Sequence, residues 1–315
     1  MVAIRVNTAR LAGLALCYAA AVLLAVPVSA HDAPGDVVHA ITHRIETNGP
    51  TARLLSARAT EYEYLGQREA AIADFEAALA LQPRYGLAIA GLAQCLLRGG
   101  QLERAAAVAE QGLALEDGPE REAPYHAIVA QARARAERWE DALPAWRAAL
   151  ASPRPEVDWF LGEAEALARL GRHAERAEAL SAARARNPSA VLHRTWVWAL
   201  VDAGRAADAM PEIEANLARA QWKSTWLLLR ARVHASQGDR EAQHADARAA
   251  LAEISARWNA GRAGRDPQLM AYAALGFGLL GETEIARDHL EKARALGVPG
   301  GWLSEFEALI APGSP

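Results

Sequence analysis

Cysteine is almost missing from this chain: Cys17 and Cys95 are the two among 315 residues. Neither belongs to a Cys-x-x-Cys motif, so no thiolate metal site or haem attachment is encoded. Lysine is equally scarce. Lys223 and Lys292 are its two occurrences and every other basic residue is Arg, a bias that reflects GC-rich coding. The formal net charge of −4 is too small to draw a polyanion, which excludes nucleic acid as the expected partner. Aromatic residues make up 6% of the chain, nine of them Trp, and β-branched runs are nearly absent. Strands are therefore disfavoured, while abundant Ala favours helices through backbone propensity. No Gly-rich phosphate loop, Gly-x-Ser-x-Gly or His-Glu-x-x-His occurs, so no catalytic constellation and no cofactor are expected. What the sequence does contain is apolar surface, 52% of residues, enough to build a continuous core.

Residues 1–30 read as a separate object. Arg5 and Arg10 precede a run of apolar and small residues from Leu11 to Val26, and Val28, Ser29 and Ala30 then form a small-residue cleavage pattern. The run is short for a membrane span and no stop-transfer segment follows. A secretory signal peptide cleaved after Ala30 is the expectation, with no membrane span left afterwards; retention as an N-terminal anchor is the alternative. Bulky Leu16 beside Cys17 disfavours lipidation. Cleavage leaves Cys95 alone, so no internal disulfide can form. An exported chain held without disulfides suits a bacterial periplasm, and the expected location is periplasmic or secreted.

Self-similarity dominates the remainder. From Gly66, Ala71 stands five residues on, Phe75 nine, Ala78 twelve and Pro83 seventeen. The same offsets recur from Gly100, Glu137, Gly171, Gly204, Gly238 and Gly281, with spacings of 34, 37, 34, 33, 34 and 43. The pattern describes two antiparallel helices joined by a tight turn. The anchor supplies the turn, and small residues such as Ala59, Ala93, Ala130, Ala164 and Ala231 sit where the helices meet. A closing Pro stops the second helix. Arg176 and Gln243 stand where other copies have Ala. Pro144 and Pro211 share one unit position early in a second helix, where a bend is expected rather than a break. The extra sequence from Trp258 to Gln268 reads as a loop.

With Gly66 set to unit position fifteen, Leu55, Tyr62, Ala71, Phe75, Ala78 and Pro83 fall on signature positions, and Phe160, Ala164, Leu167, Gly171, Ala183 and Pro188 repeat them. On these residues the chain resembles the tetratricopeptide repeat family, as an exported member with about seven repeats. The resemblance implies an all-α, right-handed superhelical solenoid of antiparallel helix pairs with N- and C-terminal capping helices. The expected organisation is a segment 31–51 with a leading helix over 36–47, seven repeats over 52–300, and a capping helix and tail over 301–315.

The resemblance also implies a function: a non-catalytic scaffold or adaptor in the bacterial envelope that takes a peptide or protein partner in a concave groove. That groove is lined by first helices at unit positions two, five, nine and twelve. Here these positions carry Arg53, Thr60, Gln94, Gln131, Glu165, Arg194, Trp198, Arg232 and Leu275. Arg194 and Trp198 lie one helical turn apart, a residue pairing favoured in binding hot spots. Trp198 is expected to be exposed in the groove. The Lys/Asn pattern that clamps a terminal carboxylate in chaperone-binding members is absent. Two alternatives stand beside this reading. One is a helper subunit of an envelope enzyme. The other is a copper- or zinc-binding accessory protein using His31 at a new N-terminus with His39 and His43, four apart on one helix face.

Overall fold

The computed structural model describes residues 34–115, 118–259, 266–298, 303, 306 and 307. The expected signal segment and His31 lie outside the described residues. Fifteen α-helices and no strand occur among them. A leading helix α1 (Pro34–Asn48) precedes α2 (Ala52–Tyr64), α3 (Arg68–Leu81), α4 (Gly86–Arg98), α5 (Leu102–Leu113), α6 (Pro119–Arg135) and α7 (Trp139–Leu150). Then follow α8 (Val157–Arg169), α9 (His173–Arg186), α10 (Ala190–Asp202), α11 (Ala206–Arg219), α12 (Ser224–Ser236), α13 (Arg240–Asn259), α14 (Pro267–Leu279) and α15 (Thr283–Ala295). The chain divides into two compact units, 1–155 and 156–315.

Every one of the seven anchors sits in left-handed backbone, with φ between 58° and 78°. Each makes the same closure. The N–H of the residue after the anchor donates to the carbonyl five residues earlier at 2.8–3.0 Å, from Gln67 to Tyr62 through to Glu282 and Phe277. This hydrogen bond satisfies a carbonyl left open at the end of the first helix. Six anchors are Gly; the seventh, Glu137, is the one non-glycine with positive φ among the described residues. A Cβ in this region costs about 1–2 kcal/mol. Part of that is regained on substitution, because glycine loses more freedom on folding. Glu137→Gly should therefore raise stability by about 0.5–1 kcal/mol, read as a later urea midpoint at unchanged m-value.

In the first unit, α2/α3, α4/α5 and α6/α7 form packed pairs, each second helix also touches the next first helix, and first helices contact one another in series. The second unit repeats this with α8/α9, α10/α11, α12/α13 and α14/α15. The offsets predicted from sequence are the core of each pair. Ala71, Ala105, Ala142, Ala209 and Ala286 at offset five are fully buried, as are Ala59, Ala93, Ala130 and Ala231 on the first helices. Phe75, Trp146, Leu180, Ile213 and Leu290 fill offset nine. Pro144 and Pro211 lie inside α7 and α11 without ending them.

Two polar exceptions at offset five act between pairs. Arg176 Nη1 donates to Asp202 Oδ2 at 2.8 Å, and Gln243 Nε2 donates to the Leu279 carbonyl at 2.7 Å. Each thus ties a second helix to the C-terminal end of the next first helix. The inserted sequence corrects one expectation. Trp258 and Asn259 continue α13, a 20-residue helix, and Pro267 and Gln268 already belong to α14. Asp266 caps α14 by accepting the Gln268 N–H at 3.0 Å, and Pro267 follows as a helix-starting residue. Residues 260–265 lie outside the described residues.

Cys95 is wholly buried on α4, and its thiol hydrogen bonds to the Arg68 carbonyl at 3.9 Å. Burial pushes its pKa up to about 11, so it stays a neutral thiol at physiological pH. A thiol reagent should label it no faster than the first unit opens, a limit that stopped-flow labelling at increasing reagent concentration would show as a plateau.

Candidate functional site

Unit position nine lies on the first helix of each pair, and the character of that row differs between the two units. In the first unit it carries Thr60 on α2, exposed, and Gln94 on α4 and Gln131 on α6, both half-buried. Arg53 is exposed at position two of α2. This row is polar and partly open to solvent.

In the second unit two residues of the row are buried. Glu165 on α8 is half-buried, and burial raises its carboxyl pKa against the opposing pull of Arg169 and Arg176. Trp198 on α10 is only 8% exposed, and Leu275 on α14 is 1% exposed. The expectation of an exposed Trp198 is therefore overturned, and the reason is specific. The Phe306 ring lies 5.8 Å from the Trp198 ring and 6.2 Å from that of Tyr272 on α14. Leu303, Phe306 and Glu307 are helical, and both Leu303 and Phe306 are buried. Trp196, two residues before Trp198, faces elsewhere, with the Arg184 guanidinium 3.8 Å from its ring centre and His193 6.0 Å away.

The cations of this face are partly committed. Arg232 on α12 lies 5.1 Å over the Trp198 ring and donates to Asp202 Oδ1 at 2.6 Å. Arg176 takes the other oxygen of the same carboxylate. Two guanidinium groups therefore share one acid, and Glu165 on α8 also acts on Arg176. Arg194, half-buried on α10, acts on the Tyr272 hydroxyl. Burial raises that hydroxyl's pKa, opposed by Arg194 and by Thr225 on α12. Three first helices of one unit thus converge on a single aromatic and cationic cluster. Asp202 and Tyr272 were not singled out from sequence. The polar Arg176 at an alanine position was the available signal for Asp202.

The remaining candidates do not gather. His39 and His43 are exposed on α1, one turn apart. No group of three or more His, Cys, Asp or Glu residues able to hold a metal ion is found among the described residues. No helix among them is long and apolar enough to cross a membrane. An apolar cavity of about 210 Å³ is lined by Ile254, Trp258, Leu269, Phe277 and His289.

Two family models, each described as tetratricopeptide repeat, match residues 64–132 and 130–191. The chain is a tetratricopeptide repeat protein. The matches span α3 to α9, and the same turn closure carries the repeat through to α15. Among solved structures the chain is similar to a tetratricopeptide repeat protein from Parabacteroides merdae, at 14% identity over 89% of this chain and 93% of that one, TM-score 0.49. It is also similar to yeast Tom70, at 12% identity over 88% of this chain and 58% of that one, TM-score 0.49. A comparison with curated proteins gives no match.

Proposed function

We propose that this tetratricopeptide repeat protein is a non-catalytic interaction scaffold of a bacterial envelope, periplasmic or secreted after cleavage at Ala30, which docks peptide or protein segments on its first helices. The observation that carries this reading is the division of labour within the repeat. The turn anchor and offsets five, nine and twelve serve packing, whereas position nine of the first unit keeps Thr60, Gln94 and Gln131 polar and accessible. Packing does not need polar side chains on that row, and rigid helices presenting such a row are a low-entropy platform for a partner segment. Arg53, Gln94 and Gln131 are the contact residues in the first unit, with Arg194 and Arg232 in the second.

A photo-crosslinking residue placed at Gln94 or Gln131 should capture a discrete partner from envelope extracts. The same residue at Glu76, an exposed position on second helix α3, should not. Equal capture from both faces would reject the docking face. Mass spectrometry of the exported chain should read His31 as its first residue; an intact N-terminus would reject the cleavage.

A further inference from the structure

The segment over Trp198 does more than close the end of the repeat array. A cap covering only the last pair would touch α14 and α15. Phe306 instead reaches Trp198 on α10, two pairs earlier, while also touching Tyr272 on α14. It therefore lies across the first-helix face of the second unit, where position nine supplies Trp198, Arg232 and Leu275. Leu303 has no exposed surface and Phe306 is 3% exposed, so both are inserted rather than laid on top. Charge is complementary as well. In sequence Glu305 and Glu307 flank Phe306, Glu307 pairs with Arg294 of α15, and Arg194 places a positive charge near Tyr272, whereas Arg232 is already paired with Asp202.

We infer that Leu303 and Phe306 belong to an internal ligand of this face, and that the partner segment it takes is an acidic peptide presenting an aromatic side chain to the Trp198–Tyr272 cleft, which displaces Phe306 on binding. The inference rests on the docking reading above for the second unit. It explains why Trp198 is buried on a row where Thr60 of the first unit is exposed. An intramolecular segment competes at an effective concentration in the millimolar range. An external segment therefore meets a binding-competent state that is only fractionally populated, and its apparent affinity falls by that fraction.

The test uses the full chain and a fluorescent peptide of sequence WLSEFEALI, residues 302–310. Fluorescence anisotropy should show binding to the Phe306→Ala chain at least about tenfold tighter than to wild type. Adding Tyr272→Ala to that chain should abolish the gain, as should replacing Phe by Ala in the peptide. A peptide with both flanking Glu changed to Gln should bind more weakly and lose its salt dependence. Wild-type chain provides a measurement independent of any folding defect. Millimolar peptide should speed hydrogen exchange at the amides of residues 303–307. If the peptide binds wild type and the Phe306→Ala chain equally, or leaves that exchange unchanged, the segment is a structural cap and the inference falls. These results are independent of the partner search. A peptide that binds in trans while no partner crosslinks to the first helices would retain the internal ligand and remove the scaffold reading.

Discussion

Arg58→Ala, with Asp74 left in place, should destabilise the first unit by about 3 kcal/mol. The pair is bidentate, with Arg58 Nε 2.6 Å from Asp74 Oδ2 and Nη2 2.8 Å from Oδ1. It joins α2 to α3 where both side chains retain less than a fifth of their surface. Removing the guanidinium strands a carboxylate in a site built to exclude water, so the cost exceeds that of a surface ion pair. Arg58 also donates to Thr42 on α1 at 3.1 Å, so the leading helix loosens with it. Replacing both partners by leucine should recover most of the loss, because neither buried charge then remains. A double-mutant cycle in urea decides this; additive single effects would show that the two groups act independently. The second unit holds the same pair at the same unit positions, Arg230 with Asp246 at 2.7 and 2.8 Å. There Arg230 also reaches Glu214 at 2.8 Å, so Asp246→Ala should cost less than Asp74→Ala.

This recurrence bears on what could be read beforehand. Periodicity located every turn because the anchor position demands left-handed backbone, and it did so even at Glu137, where composition alone points away from a turn. The offsets at Ala71, Phe75 and Ala78 likewise named core residues, since one face of each second helix must bury regardless of its neighbours. Charges aligned on the same period would also have paired Arg58 with Asp74 and Arg230 with Asp246. Contacts between distant parts of the chain are another matter. Nothing near Trp198 signals that Phe306 covers it, because that contact depends on where the chain returns after α15. The helical continuation through Trp258 was hidden for a related reason. The Gly- and Arg-rich sequence that follows has loop composition, whereas the run of helix formers before Trp258 carries the helix on to Asn259.

The largest loss should come from a side chain whose partner is a glycine. Phe75, 2% exposed on α3, lies against Gly91 on α4, and a Cβ built on Gly91 would stand 2.4 Å from Phe75 Cζ. Phe75→Ala should cost about 3–5 kcal/mol, because it removes a buried ring and leaves a cavity between consecutive pairs. Gly91→Ala tests the other half of the contact. Helix propensity alone predicts a gain of about 1 kcal/mol for alanine in a helix interior. Overpacking against the ring predicts a loss of about 1–3 kcal/mol. The ring has little room, since Ala71 and Ala78 beside it are fully buried, so the net change should be destabilising. Phe75→Leu combined with Gly91→Ala should then be less damaging than the sum of the two, because the smaller side chain vacates the space the new methyl needs. The converse arrangement occurs one pair on, with the ring on the first helix and the glycine on the preceding second helix. Tyr125 of α6 lies over Gly112 of α5, where a Cβ would stand 2.5 Å from the ring, and its hydroxyl donates to the Gly86 carbonyl at 3.0 Å. Gly112→Ala should therefore lower stability as well, and a stabilised Gly91→Ala or Gly112→Ala chain would show that propensity outweighs this packing. Either glycine reads from sequence as a weak point in a helix. In the folded chain each is the space that lets one pair close against the next.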